Sequence, residues 1–303
     1  MWAPLLDGAE RVGVLALDFV IVDDLTRARV EHLAGIATAL YVTKSQYTDH
    51  YQQVARRQRM TVSAELQWSL LPPLTFNNRY VAIAGVLAPA YEIGGDTFDY
   101  AIGSNEVRLS IFDAVGHGMV AVLPAALAMT TVRNSRRNLG SLVDAYRAAD
   151  AALLEQFPYG TFVTGQLATF DAISGRLLVL NAGHPLPLLL RDGHVTTIEL
   201  PANQPLGLGF VPGAPVEVQL KPTDRVLLYS DGVTEGAAPG REPFGLGRLA
   251  DLFAREALSG FGSGELMRRL ARAVLSHHAH DLRDDFTLLA LEYRARQPSS
   301  GSH

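Results

Sequence analysis

Apolar and polar residues alternate along most of the chain after Pro73, a pattern typical of β-strands whose two faces meet different surroundings. The alternating runs are short and are separated by turn signals such as Asp192-Gly193, as hairpins require. They predict strands at 80–87, 97–101, 107–112, 161–170, 176–181, 187–191, 194–199, 216–220, 225–229 and 286–293.

Helical periodicity interrupts these strands twice. It predicts one helical pair at 120–139 and 141–156, and a second at 246–257 and 263–276. Strand meanders with two inserted helical pairs indicate an α+β fold, in which helices flank a stacked pair of antiparallel sheets. We therefore expect one domain over residues 73–294, followed by a polar, disordered tail at 295–303.

A different pattern fills residues 24–72, where proline is absent before Pro72 and Gly35 is the single glycine. The stripe of Val30, Leu33, Ala37 and Leu40 predicts a long helix that ends at Pro72-Pro73, because proline cannot continue a helix. The polar run at 56–59 is an alternative place for a break. A helix of this length is typical of a coiled-coil linker, through which two chains could form a homodimer.

Composition excludes several classes of function. Hydrophobic residues make up 48% of the 303 residues and charged residues 19%, enough to build a globular core. The net charge of −5 gives no reason to expect a nucleic-acid partner, and we interpret the short basic runs at 56–59 and 133–137 as solvated helix faces.

Cysteine is absent, which excludes disulfides, zinc–thiolate sites and thiol nucleophiles. The N-terminus lacks the basic segment of a signal peptide, and no uncharged apolar run reaches the roughly 18 residues of a membrane span. We expect no membrane association and a cytoplasmic location.

Acidic residues stand beside glycine or a turn in four separated places. These are Gly94-Gly95-Asp96, residues 113–118 beginning with Asp113, Ser230-Asp231-Gly232, and Asp284-Asp285. A carboxylate at a strand end, with glycine beside it, can serve a hard cation while the backbone turns away. Mg²⁺ and Mn²⁺ favour carboxylate, carbonyl and water ligands. We therefore predict a site for one of these cations.

The order of these clusters resembles that of the metal-dependent protein phosphatases of the PPM family, in particular their bacterial SpoIIE/RsbU-like branch. The resemblance runs from about Leu70 to Tyr293 and depends on short strings at 92–100, 113–118, 181–185, 229–232 and 284–287. It implies an αββα sandwich with metal ions at one edge of the sheets.

The resemblance also implies a role for each ligand. Asp113 would contact both metal ions and the carbonyl of Ala114 would complete the shell of the second ion, to which Asp96 also binds. Asp231 and Asp284 would hold the first ion. Two Mn²⁺ or Mg²⁺ ions activate a bridging hydroxide that attacks the phosphoester, so Asp113 and Asp231 count as catalytic.

Other polar residues near these strings have competing interpretations. Asp285 adjoins the family ligand but is not aligned with it, and Asp99 is expected to have a structural role. His117 and His184 could act as a general acid, although a hydrogen-bonded turn histidine is the commoner role. His277, His278 and His280 resemble a metal cluster, but at a helix end we favour a solvated face.

The implied function is that of a phosphoserine/phosphothreonine protein phosphatase. By resemblance, its substrate is a small phosphorylated regulator, such as an anti-sigma-factor antagonist of the STAS type. A catalytically inactive signalling or binding module of the same fold is the alternative, and a dimerising protein built around the long helix is a third. The acidic ligand positions argue against both.

Residues 1–23 suggest a separate unit. The string at 10–17, followed by a helix from Asp24, is similar to the end of a GAF sensor domain whose first part is missing. The chain would then be a fragment of a longer sensor–phosphatase, or this segment would serve as a dimer arm. A plain N-terminal hairpin is the remaining interpretation.

Overall fold

The computed structural model describes residues 1–7, 10–19, 21–45, 60–88, 94–157, 160–236, 242–278 and 285–294. Its strands are β1 (Trp2–Asp7), β2 (Glu10–Ala16), β3 (Thr75–Asn77), β4 (Val81–Ala88), β5 (Asp96–Ile102), β6 (Glu106–Ala114), β7 (Val163–Asp171), β8 (Arg176–Ala182), β9 (Leu188–Arg191), β10 (His194–Thr197), β11 (Val216–Gln219), β12 (Arg225–Tyr229) and β13 (Phe286–Tyr293). Its helices are α1 (Asp24–Ser45), α2 (Val62–Leu70), α3 (Met119–Arg137), α4 (Leu142–Gln156), α5 (Asp231–Thr234), α6 (Leu246–Leu258) and α7 (Ser263–His277).

Two antiparallel sheets form the centre of the molecule. One has six strands in the order β10-β9-β12-β13-β4-β3, and the other has five in the order β11-β8-β7-β6-β5. Apolar side chains from both sheets pack between them, including Phe98, Ile111 and Leu289. One face of each sheet thus contributes to this shared core.

Helices cover the outer faces of both sheets. Helices α3 and α4 pack against the five-stranded sheet through residues such as Met129 and Tyr146. Helices α6 and α7 cover the six-stranded sheet through residues such as Phe253 and Leu270. The predicted α+β fold with an αββα sandwich is confirmed.

The strand order brings distant acidic residues to one edge of the sandwich. Asp96 begins β5 and is paired in register with Asp113, near the end of β6. In the other sheet, β12 and β13 are antiparallel, so that Tyr229 at the end of β12 lies opposite Leu288 near the start of β13. Asp231 and Asp285 adjoin these ends. The fold thereby gathers residues from four strand ends.

The N-terminal segment forms a hairpin of β1 and β2, against which α1 packs through Val30 and Ala34. The Oδ1 atom of Asp7 accepts a hydrogen bond from the backbone N–H of Thr75, at 3.2 Å, and so connects this hairpin to the start of the sandwich. The similarity of residues 1–23 to a GAF domain and the domain boundaries stay predictions.

The helix predicted from Asp24 is present, but an unbroken helix to Leu71 is wrong. Thr61 has extended backbone angles (φ −72°, ψ 159°), and its side chain accepts a hydrogen bond from the N–H of Ala64. This is the geometry of an N-cap, at which a new helix begins. The run at 56–59, where the alternative placed a break, lies outside the described residues, as does the tail at 295–303.

Of the helices in the described ranges, none combines the length and the hydropathy that a bilayer crossing needs.

Candidate metal centre

Asp96 is the most deeply buried carboxylate at this edge, with 2% of its surface exposed. Its pKa is raised well above the ordinary value, first because burial removes it from water and then because of the negative charges of Asp285 and Asp113. Several carboxylates therefore share a volume of low dielectric constant, where their mutual repulsion is strong.

Ser230 holds the Asp96 carboxylate from the opposite sheet. Its Oγ atom donates a hydrogen bond to Oδ2 of Asp96 at 2.5 Å and accepts one from the N–H of Thr287 at 2.8 Å. The backbone N–H of Ser230 donates to the carbonyl of Thr287 at 3.1 Å. The end of β12 and the start of β13 thus fix the position of a carboxylate that belongs to β5.

Asp285 connects the two sheets a second time. Its Oδ2 atom accepts a hydrogen bond from the backbone N–H of Asp96 at 2.8 Å and another from Nε2 of Gln67 at 3.3 Å. The same Nε2 atom donates to the backbone carbonyl of Asp96. Asp284, the ligand that the resemblance implies, lies outside the described residues. Asp285, through these hydrogen bonds, belongs to the acidic edge.

Glycines keep space free around these oxygens. A Cβ atom at Gly95 would lie 3.2 Å from the carbonyl oxygen of Ala114 and 3.7 Å from Oδ1 of Asp285. The carbonyl of Ala114 is therefore close to the acidic group, as its predicted role requires. After Asp113 the chain turns through Gly116 (φ 102°) and Gly118 (φ 65°), a region that favours glycine, and enters α3.

Asp231 stands at the start of α5 and is half-buried. Its pKa is raised, mainly by burial and further by the charge of Asp285, while the N–H of Gly232 acts in the opposite direction. A side chain at Gly232 would collide with the backbone carbonyl of Asp285. Glycine at this position is thus what allows Asp231 to lie beside β13.

The donor set fits a hard divalent cation. Asp96 interacts electrostatically with Asp113 and Asp285, Asp231 interacts with Asp285, and a backbone carbonyl lies beside them. A cation would relieve the repulsion between buried carboxylates. Within the described ranges, however, no three His, Cys, Asp or Glu side chains are already grouped closely enough to hold a metal ion.

The remaining candidates have structural contacts. Asp99 forms ion pairs with Arg133 and Arg136, so its expected structural role is confirmed. These arginines are mostly buried, which corrects the interpretation of residues 133–137 as a solvated helix face. His184 bonds through Nδ1 to Oγ1 of Thr164 at 2.8 Å.

Burial lowers the pKa of His184 to about 3, so that its ring is neutral at physiological pH. This favours the turn role over that of a general acid. His117, by contrast, is exposed on the loop after Asp113.

The interpretation of His278 as a solvated residue is wrong. Only 2% of its surface is exposed, and burial lowers its pKa. Its ring lies against Gly236, where a Cβ atom would collide with the imidazole. Nε2 of His277 donates a hydrogen bond to the carbonyl of Glu242, 2.9 Å away. His280 lies outside the described residues.

Sequence reasoning missed two residues of this edge, Gln67 and Ser230. Ser230 was part of an acidic string, yet no role was predicted for its hydroxyl. Gln67 carried a weaker signal, since it is a polar residue three positions after Ala64 on the buried face of α2.

Known proteins are similar to this chain in sequence and in fold. The family model described as "Stage II sporulation protein E (SpoIIE)" matches residues 103–294, a range that begins after Asp96. Phosphoserine phosphatase RsbU of Bacillus subtilis (strain 168) is 22% identical over 248 residues, which cover 78% of this chain and 70% of RsbU.

Among solved structures, the RsbU and RsbW domains of Rv1364c from Mycobacterium tuberculosis match with a TM-score of 0.62 and 28% identity, over 74% of this chain. This chain spans 63% of that one, less than two thirds. The catalytic domain of the serine/threonine protein phosphatase PstP, in complex with two manganese ions, matches with a TM-score of 0.53 and 17% identity, over 71% of this chain and 99% of that one. The last likeness shows the fold alone.

The family match covers more than half of the chain, and the matched solved structures share its fold. The chain therefore belongs to the SpoIIE family of PPM-type serine/threonine protein phosphatases.

Proposed function

We propose that this chain hydrolyses phosphoserine or phosphothreonine in a protein, and that two Mn²⁺ or Mg²⁺ ions bind at the acidic edge. The observation that carries the proposal is the Asp96 carboxylate, which is buried beside Asp113 and Asp285 and has a raised pKa. The manganese bound by PstP, which has the same fold, supports the choice of cation.

The ligands would be Asp96, Asp113, the carbonyl of Ala114, Asp231 and Asp284. Divalent cations at such a site lower the pKa of a water molecule and neutralise charge on the phosphate. The chain supplies the geometry: Ser230 orients Asp96, and Gln67 orients both Asp285 and the backbone of Asp96. Gly95 and Gly232 exclude side chains from the space beside these oxygens.

The surroundings of the edge favour a protein as the substrate. Val115, Val120 and Leu123 are exposed on the loop after Asp113 and on the first turns of α3. A phosphorylated residue that reaches Asp113 brings its own protein surface against these side chains, and their burial would contribute to binding. The name of RsbU, a phosphoserine phosphatase, supports a phosphoserine-containing protein as the substrate. A regulator of the STAS type is the form of this substrate that the family resemblance implies.

A metal titration tests this function. We expect the chain to release phosphate from p-nitrophenyl phosphate and from a phosphoserine-containing STAS-type protein when Mn²⁺ is added, and to stop when EDTA is added. Binding of the phosphorylated protein without phosphate release, at any Mn²⁺ concentration, would favour the inactive module and contradict the proposal.

We also propose that α1 pairs with a second copy of this chain. Leu33, Ile36 and Leu40 are 45%, 46% and 57% exposed and lie on one side of α1. The buried residues Val30 and Ala34 lie on another side, against the hairpin. The spacing of three and four residues is that of a coiled-coil seam.

The oligomeric state decides this second proposal. We expect sedimentation to show a dimer for the wild-type chain and a monomer for Ile36→Glu. Gly35→Glu is the matched control, since a Cβ atom there meets nothing within 4 Å. A monomeric wild-type chain, or a dimer in Ile36→Glu, would contradict pairing through this face.

A further inference from the structure

Helix α3 lies lengthwise against β5, with contacts in the same order along both. At the first turn, a side chain at Gly94 would collide with Val122. Further along, Oγ1 of Thr97 donates a hydrogen bond to the sulfur of Met129 at 3.3 Å. At the last turns, Arg133 and Arg136 reach Asp99.

The contact at Asp99 is the strongest polar contact between these two elements. Nη2 of Arg133 and Nη1 of Arg136 each donate to a different carboxylate oxygen of Asp99, both at 2.8 Å. The side chain of Asp99 is 3% exposed and those of both arginines are 18% exposed. Charge-assisted bonds with so little solvent are stronger and more geometrically specific than surface ion pairs.

Arg133 also extends this contact to a third element. Its Nη2 atom donates to the carbonyl of Leu70, the last residue of α2, at 2.6 Å. One guanidinium therefore joins the end of α2 to β5, and α2 carries Gln67. We call Asp99, Arg133 and Arg136 the arginine latch.

The first turns of α3 reach the acidic edge through apolar contacts. There α3 follows the loop 113–118, and Val122 and Ala121 lie against Gly94 and Gly95, which precede β5. Asp113 itself is held beside Asp96 by the register of β5 and β6. The charged bonds of Arg133, by contrast, fix the end of α2, which carries Gln67, along β5.

We propose that the arginine latch is a positioning device for the metal centre. It fixes α3 and the end of α2 along β5, and thereby holds Gln67 against Asp285 and the backbone of Asp96, where a cation would bind. None of the latch residues is a ligand. This inference rests on the proposed function, since it concerns the same acidic edge.

Replacement of Asp99 by asparagine removes the charge that both arginines bind while it changes little volume. We expect Asp99→Asn to weaken Mn²⁺ binding, measured by calorimetry, several-fold, because Gln67, which bonds to Asp285 and to the backbone of Asp96, then loses its fixed position. The rate at saturating Mn²⁺ should stay close to that of the wild type, because the ligands themselves are intact.

Asp224→Asn provides a matched control for a buried ion pair. Asp224 is 2% exposed and is bound by Arg191, so its replacement perturbs the fold in a comparable way. It precedes β12, while Asp231 follows the other end of this five-residue strand, about 17 Å away at about 3.3 Å per residue. Thermal unfolding of both variants shows the structural cost of each change.

Arg136→Gln and Arg136→Lys keep the test valid if Asp99→Asn does not fold. Arg136→Gln should weaken Mn²⁺ binding, and Arg136→Lys, which retains a cation, should restore most of it. Unchanged Mn²⁺ affinity in Asp99→Asn and Arg136→Gln, or an equal loss in Asp224→Asn, would overturn the latch. A wild-type chain that binds no Mn²⁺ would overturn the proposed function together with this inference.

Discussion

Burial shifts the pKa values of single residues near the acidic edge in opposite directions, up for Asp96 and down for His184. Burial and the charges of Asp285 and Asp113 raise the pKa of Asp96, which makes the edge a natural place for a cation. His184, a buried ring on the β8–β9 connection, is neutral instead. The hydrogen bond from Nδ1 to Thr164 orients it without a charge.

The neutral state of His184 predicts a pH dependence of stability. Its pKa is about 3 in the folded chain and about 6.5 in the unfolded chain, so only the unfolded chain takes up a proton between these values. Stability is therefore lost as the pH falls from about 6.5 towards 3. At pH 5 this histidine should cost about 2 kcal/mol relative to pH 7.

Urea unfolding of the wild type and of His184→Gln at pH 7 and pH 5 measures this effect. The free energy of unfolding should fall more between the two pH values in the wild type than in the variant. An equal fall in both proteins would show that His184 does not carry the effect.

The sequence predicted those residues of the acidic edge that their immediate neighbours mark, and it missed the residues that reach the edge through contacts distant in sequence. An aspartate at a strand end beside glycine or a turn is a local signal, and together with the family resemblance it predicted that Asp96, Asp113 and Asp231 lie at one edge. Ser230 contacts Asp96 across 134 positions of sequence, and Gln67 contacts Asp285 across 218. No local pattern contains such pairings, which arise only when the two sheets stack.

Among the elements, α2 is short but contacts the acidic edge directly. It has nine residues, begins at the N-cap Thr61 and buries Ala64 and Gln67. Helices this short are marginal alone, so α2 depends on its packing against the sandwich. Its two polar contacts, Gln67 to Asp96 and Leu70 to Arg133, couple its position to the acidic edge.

Loss of the Gln67 side chain should therefore affect the metal centre. We expect Gln67→Ala to raise the Mn²⁺ concentration for half-maximal turnover several-fold, because Asp285 and the carbonyl of Asp96 lose a donor worth about 1 kcal/mol. Ser69→Ala is the control on the same helix, since its hydroxyl is exposed and bonds only to Leu66 among the described residues. Equal metal requirements in both variants would exclude this coupling.

Element prediction was most accurate for long periodic runs. The helices at 141–156 and 263–276 were predicted within a residue or two of their observed ends. Strand β3 and helix α5 were not predicted, since three or four residues carry no period. The N-cap of α2 at Thr61 was not predicted, although the alternative break at 56–59 lies directly before it, because a lone threonine between Met60 and Val62 gives no clear signal of a helix start.

At the scale of the whole molecule, the segments that precede the sandwich contact it in two different places. The hairpin and α1 contact the sandwich at Asp7 and Thr75, while α2 contacts the acidic edge itself. Helix α1 has an exposed apolar face that is available for pairing, whereas α2 contacts the proposed metal centre. Self-association and activity should therefore depend on different segments.

Two shortened chains test this separation. A chain that begins at Met60 retains α2, and we expect it to keep the metal dependence of the full chain but to lose self-association. A chain that begins at Pro72 also lacks Gln67 and the partner of Arg133, so its Mn²⁺ requirement should rise as well. Turnover and mass in solution are the measurements, and identical values for all three chains would contradict the prediction.

The most direct test of the central claim is Mn²⁺-dependent phosphate release by Asp113→Asn. This change removes a charged ligand but almost no volume, so the chain should fold and lose activity, as Asp231→Asn also should. Asp192→Asn, in the exposed β9–β10 turn, is the matched control and should behave as the wild type. The metal-centre account predicts that Asp113→Asn retains less than about a tenth of the wild-type rate at saturating Mn²⁺. A folded Asp113→Asn that retains a higher rate would contradict it.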